Sequence, residues 1–201
     1  LEKTKSAKSQ LFLNPNNYKV GLIDIETTGL KGDFDIILCG VIKTWGNNKH
    51  KVHKINLNRR DLLSAEKRFL EKLISDINSY DGVIGYYSSG FDMPMIRTRC
   101  FYHGLKPPQK IKHLDMYYTI KRIVNTGSRR MERINELITI PGTDYTTQKT
   151  KIDMRQWMSA LFAHDTKALS YIVDHCIKDV DILEEITNRF IDFVPDRIIR
   201  R

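Results

Sequence analysis

The chain reads as an α/β protein: short runs rich in β-branched and aromatic residues alternate along it with stretches whose apolar residues recur at helical spacing. Four such runs stand at Val20–Ile25, Ile36–Trp45, Lys51–Leu57 and Val83–Tyr87, and helical periodicity covers 64–80 and 165–193. With 201 residues, 41% of them hydrophobic and 28% charged, the chain can bury one sizeable core.

Residues 1–17 hold Lys3, Lys5 and Lys8 against Glu2 and read as a basic N-terminal arm. The first strand follows, as Val20-Gly21-Leu22-Ile23-Asp24-Ile25-Glu26-Thr27-Thr28-Gly29. Side chains at i and i+2 of a strand share one face, so Asp24 and Glu26 project side by side. Two such charges repel unless a cation or a proton lies between them, and a divalent metal is the simplest resolution. A half-buried strand with acids on its polar face accounts for this pair equally well. Ile36–Trp45 is the second strand, Gly46-Asn47-Asn48 a hairpin turn, and Lys51–Leu57 the third strand. His50 and His53 have no third ligand nearby and are expected as exposed hairpin residues rather than metal ligands.

Phe69, Leu70, Leu73, Ile74 and Ile77 mark the inner face of a helix over 64–80, with Ser64 at the capping position. Asp81-Gly82 ends it, and Val83–Tyr87 is the fourth strand. Ser88-Ser89-Gly90-Phe91-Asp92-Met93-Pro94 then starts a helix running to His103, since proline is favoured in the first turn. Asp92 alone fits a cap as well as a ligand.

Between 106 and 133 stand Lys106, Lys110, Lys112, Lys121, Arg122, Arg129, Arg130 and Arg133, against only Asp115 and Glu132. Tyr117 and Tyr118 lie within this stretch, a mixture suited to a groove that holds a phosphate backbone and stacks on bases. A solvated basic face over core tyrosines is the competing account. Residues 141–153 read as a loop between helices. The longest helix spans Asp165–Phe193, its apolar stripe formed by Leu169, Ile172, Val173, Cys176, Ile177, Val180, Leu183 and Ile186. His175 and Asp179, four apart, lie about one turn from each other on one face, whereas Asp174 and Asp181 are rotated away. Pro195 ends the helix, and residues 195–201 form a basic tail.

The formal net charge is +9, which favours a polyanionic partner, nucleic acid before anionic membrane. No apolar run approaches the roughly 20 residues that span a bilayer, so no membrane partner is expected. Cys39, Cys100 and Cys176 are odd in number and widely spaced, which argues against a zinc module and for a reducing, cytoplasmic setting.

Asp24-Ile25-Glu26-Thr27-Thr28-Gly29, then Gly85-Tyr86 with Phe91-Asp92-Met93-Pro94, then His175-Cys176-Ile177-Lys178-Asp179-Val180 form an ordered set of three motifs. With these, residues 18–193 resemble the DnaQ-like, or DEDD, superfamily of 3′-to-5′ exonucleases. The resemblance implies a ribonuclease H-like fold, a central mixed five-stranded sheet flanked by helices, in an exonuclease domain over 18–194. It implies hydrolysis of phosphodiester bonds, single-stranded DNA being the expected substrate, with two divalent ions, Mg²⁺ or Mn²⁺. Such ions supply an activated water and relieve charge on the leaving oxygen, and Mg²⁺ prefers carboxylate oxygen. Asp24, Glu26, Asp92 and Asp179 are the implied metal ligands: Asp24 bridging, Glu26 and Asp179 on the ion that activates water, Asp92 on the other. His175 is implied to orient or deprotonate that water. Thr27, Thr28 and Leu30 match positions that hold the terminal nucleotide, and Tyr87 and Phe91 complete the expected substrate contacts. A polymerase or another replication or repair protein, with a proofreading role, is the implied partner.

Two departures stand out. Tyr87 replaces a common Asn of the second motif. In the third, one branch has Tyr four residues before the last Asp and another has His five before it. Here His175 occupies the tyrosine register, that of family B DNA polymerase proofreading domains, and Asp174 the other branch's histidine position. Three alternatives follow: a nucleic-acid-binding module without catalysis, an exonuclease acting on RNA, and an endonuclease of ribonuclease H type.

Overall fold

Order in the sheet follows from two connections, a hairpin and a helical crossover. In this computed structural model, residues 18–57, 61–139 and 153–194 are described. Strands β1 (Val20–Thr27), β2 (Ile37–Thr44) and β3 (His50–Lys54) form an antiparallel meander, in which Gly46, at φ 76, makes the tight turn between β2 and β3. Helix α1 (Leu62–Ile77) then carries the chain across to β4 (Gly82–Gly85), which lies parallel to β1. Helix α2 (Asp92–His103) leads to β5 (Lys112–Asp115), parallel to β4. The five-stranded sheet has the order β3-β2-β1-β4-β5, so β1 is central.

Alternation along β1 divides the core in two. Val20 and Leu22 are buried on the face covered by the long C-terminal helix, with Leu169, Ile172, Val173, Cys176 and Val180. Ile23 and Ile25 are buried on the opposite face against Phe69, Leu70 and Leu73 of α1 and Ile96 of α2. Each such side chain contributes about 1.5–3 kcal/mol on burial. Asp24 and Glu26, in step with Leu22, therefore meet the long helix. That helix, α6 (Thr166–Phe190), runs for 25 residues and is capped by Asp165, whose side chain accepts from the Lys167 and Ala168 amides. At 1.5 Å per residue it is about 37 Å long. It crosses both β1 and β2 and sets its middle turns over the centre of the sheet.

Several boundaries differ from the sequence expectation. The cap of α1 is Asp61 rather than Ser64: its carboxylate accepts from the Leu63 and Ser64 amides and from the Ser64 hydroxyl. β3 stops at Lys54 because Ile55 and Leu57 turn inward to the core under α6. β5 and helices α3 (Met116–Ile123), α4 (Met131–Ile138) and α5 (Met154–Phe162) were not marked by periodicity. The first three lie in and beside the basic stretch, where Lys and Arg on outer faces dilute the apolar pattern. His50 and His53 are not exposed hairpin residues. His50 Nε2 lies 2.7 Å from Asp181 Oδ1 and His53 Nε2 3.0 Å from Asp76 Oδ2, with side chains 20% and 18% exposed. The basic arm, the C-terminal tail and nearly all of the 141–153 loop fall outside the described residues.

Candidate active site

Beyond Leu22, β1 has lost its β4 neighbour, and Asp92 of α2 reaches into this gap. The amide of Ile25 donates to Asp92 Oδ1 at 3.2 Å, so the first residue of α2 satisfies a backbone group that the sheet leaves open. Asp92 is 4% exposed. Burial pushes its carboxyl up to about 7, opposed by its own amide and that of Ile25 and assisted by the charge of Asp115.

Across the strand, α6 is fastened to Asp24 by Cys176. The thiol donates to Asp24 Oδ2 at 3.2 Å and to the Asp24 carbonyl at 3.4 Å. Burial, then a hydrogen bond with Cys39 and the charges of Asp24 and Glu26, push this thiol well above its ordinary value. Cys176 is therefore a protonated donor that steadies a carboxylate, not a thiolate ligand. Neighbouring His175 is 2% exposed and stands edge-on to Trp157 of α5, ring centroids 5.9 Å apart. Its Nε2 lies 3.8 Å from Glu26 Oε1 and 3.9 Å from Asp179 Oδ2. One ligand atom from each of Glu26, His175 and Asp179 falls within a 4.8 Å set, so a single divalent ion fits among them after small side-chain movements. The two carboxylate oxygens are the hard donors of this set, and the imidazole nitrogen is the softer one.

Asp24 and Asp179 also line an open cleft of about 640 Å³, whose other walls include Tyr86, Tyr87, Tyr117, Arg129, Arg130 and Glu132. Acidic floor and basic, aromatic wall thus face one space. Asp115 builds much of the wall. As N-cap of α3 its carboxylate accepts from the Tyr117 amide at 3.0 Å, and it also accepts from the amides of Tyr87 (3.0 Å) and Ser89 (2.7 Å).

Of the other expected substrate contacts, Leu30 is 78% exposed on the loop after β1. The Thr27 and Thr28 hydroxyls hold that loop, donating to the Gly29 carbonyl and to Asp35 Oδ1. Phe91 packs against the core between the sheet and helices α1 and α2 and does not line the cleft. Sequence reasoning missed Cys176 as a support for Asp24 and Asp115 as a support for Tyr87. Only the second carried a signal, an Asp directly before a helical Met-Tyr-Tyr.

A family model described as the RNase_H superfamily matches residues 22–191, a span that holds all four acids and His175. The chain belongs to the RNase_H superfamily. Membership of this superfamily supports a nuclease-like function. Its fold is similar to that of the family B DNA polymerase from the hyperthermophilic archaeon Pyrobaculum calidifontis. The TM-score is 0.64 at 15% identity, covering 87% of this chain and 24% of the polymerase. Family and fold both agree with the DnaQ-like resemblance of the motifs. No curated protein matches the sequence. No helix among the described residues is long and apolar enough to cross a membrane.

Proposed function

We propose that this chain is a 3′-to-5′ exonuclease that removes nucleotides from single-stranded DNA with two divalent ions, Mg²⁺ or Mn²⁺. The observation that carries the proposal is the shared cleft, where Asp24 and Asp179, from a strand and a helix far apart in sequence, face Tyr87, Arg129 and Arg130. Glu26, Asp179 and Asp24 would hold the ion that activates water, with Asp92 serving the second. Bound there, the ions supply a water-derived nucleophile and charge neutralisation at the leaving oxygen.

The chain's own groups do the rest. In this account the ion rests on the carboxylate oxygens alone and His175 stays off it: its Nε2, edged by Trp157 and near two carboxylates, accepts the proton of the attacking water. Cys176 fixes the Asp24 carboxylate. Arg129 and Arg130 attract the phosphate backbone, which supports a single strand lying along the wall. Thr27, Thr28 and Leu30 hold the terminal nucleotide in this account. The 3′-to-5′ direction is supported by the order and content of the three motifs. An intracellular polymerase or another replication or repair protein is the partner such an activity would serve.

The test uses 5′-labelled DNA and RNA strands of one sequence, with 3′ ends free or blocked, beside a circular strand. Stepwise shortening of free-ended DNA and intact circles are expected, with no shortening by Asp24→Ala protein or in EDTA. Cut circles indicate an endonuclease, and cleavage by Asp24→Ala ends the assignment. Binding with no shortening in Mn²⁺ would instead favour a binding module, a reading motivated by His175 in the tyrosine register.

A further inference from the structure

Tyr87 is held in a backbone conformation that tyrosine avoids. Its φ is 58, in the left-handed region where the Cβ of a bulky residue crowds the following carbonyl. The usual compensation would be burial of the ring, yet Tyr87 is 45% exposed. Strain without core packing in return marks a position kept for what the side chain presents outward.

Three features keep it there. Asp115 accepts from the amides of Tyr87 and Ser89, pinning both sides of the strained residue. Gly90 leaves room for the ring: a Cβ at that position would lie 2.5 Å from Tyr87 Cζ. Tyr117 stands edge-on to Tyr87, centroids 5.1 Å apart at 74°, and Tyr118 lies 5.8 Å away at 32°. Tyr117 is itself braced edge-on by Tyr86, whose hydroxyl donates to the Arg129 carbonyl at 2.6 Å. The rings are too close to admit a base between Tyr87 and Tyr118, since a sandwich needs about 7 Å, or two stacking distances of about 3.5 Å. What remains for a base is the exposed part of Tyr87, which lines the same cleft as Asp24 and Asp179.

We propose that Tyr87, braced by Tyr117 and Tyr118, is a stacking shelf for one unpaired base of the substrate strand, and so selects strands whose bases are free to lie flat on it. The inference rests on the exonuclease reading and refines it. A cavity of about 640 Å³ takes one or two nucleotides, so the stacked base belongs to a nucleotide within about two of the phosphate at the acids. Every base has a π-face, so the shelf discriminates paired from unpaired rather than one base from another. A paired base shows only its edges and cannot reach it.

The test is a scan in which each of the last six nucleotides of a fluorescein-labelled DNA strand is made abasic in turn. Binding to Asp24→Asn protein in Mg²⁺ is followed by anisotropy. One position should weaken binding roughly 5- to 150-fold, the range expected for one stacked base. Tyr87→Ala, in the same background, should abolish that positional penalty, Tyr87→Phe should keep it, and Gly90→Ala, which displaces the ring, should reduce it. Circular dichroism confirms that each variant is folded. A flat abasic profile in a protein that binds the intact strand would overturn the shelf and leave the nuclease reading standing, as would an unchanged penalty in Tyr87→Ala. Failure to bind any strand would overturn both.

Discussion

Arg99→Met breaks a buried ion pair behind the loop that follows β1. The Arg99 side chain is 2% exposed and that of Glu66 0%. Nε of Arg99 donates to both Glu66 oxygens at 3.0 and 3.2 Å and Nη2 donates to Oε2 at 2.6 Å. Nη1 reaches the Gly32 carbonyl at 2.9 Å. Removing one member of a buried pair costs about 3–5 kcal/mol, chiefly because the other charge is stranded. Glu66 would keep the Ile37 amide at 2.9 Å and the His103 imidazole at 2.7 Å, which places the expected loss at the lower end, about 3 kcal/mol. Urea unfolding at 25 °C measures it. The double variant Glu66→Leu/Arg99→Met should lose less than the two single losses added, since neither charge is then stranded. A loss under about 1 kcal/mol for Arg99→Met, or simple additivity in the double variant, would refute the reasoning. Nuclease activity should fall as well, because the Gly32 carbonyl tethers the loop that presents Leu30.

Three further outcomes follow from the same geometry. Cys176→Ala should weaken hydrolysis about 2- to 10-fold by freeing the Asp24 carboxylate, and Cys176→Ser should retain most activity; equal loss in both would argue against the hydrogen bond. Asp115→Ala leaves the amides of Tyr87, Ser89 and Tyr117 without their acceptor and should cost about 2–3 kcal/mol in thermal or urea unfolding. Burial acts to raise the Asp76 carboxyl, but Lys51 and His53 outweigh it and hold the group below its ordinary value. A depressed carboxyl stabilises the fold above its unfolded pKa of about 3.9, and that contribution is lost as pH falls through the lower folded value. Unfolding midpoints measured downward from pH 5 should show this acid loss in the natural chain and less of it in Asp76→Asn.

The sequence reveals this fold most clearly where local and tertiary signals agree. β1 and β2 have near-continuous apolar runs, α2 an early proline and α6 a long apolar stripe, and all four emerge within a few residues of their observed ends. The i, i+2 spacing of Asp24 and Glu26 and the i, i+4 spacing of His175 and Asp179 are likewise visible in one dimension. Whether strand and helix meet is not, because it depends on α6 being long enough to cross β1 and β2. β5 is four residues long and α3 and α4 eight each, too short for a periodic signal amid the lysines and arginines on their outer faces. Cys176 looked like one more residue of an apolar stripe, and only its contact with Asp24 reveals its second role. Phe91, the residue just before α2, packs partly buried against the core, a placement that no local pattern announces.

Metal binding offers the most direct measurement of whether the separated acids act as one site. Calorimetric titration of the natural chain with Mn²⁺ should give saturable binding, and Asp179→Asn, altered on α6 alone, should weaken it at least tenfold while the fold is preserved. Equal Mn²⁺ affinity in the two proteins would mean that the helix contributes nothing to the ion site, and the assembled centre would have to be given up.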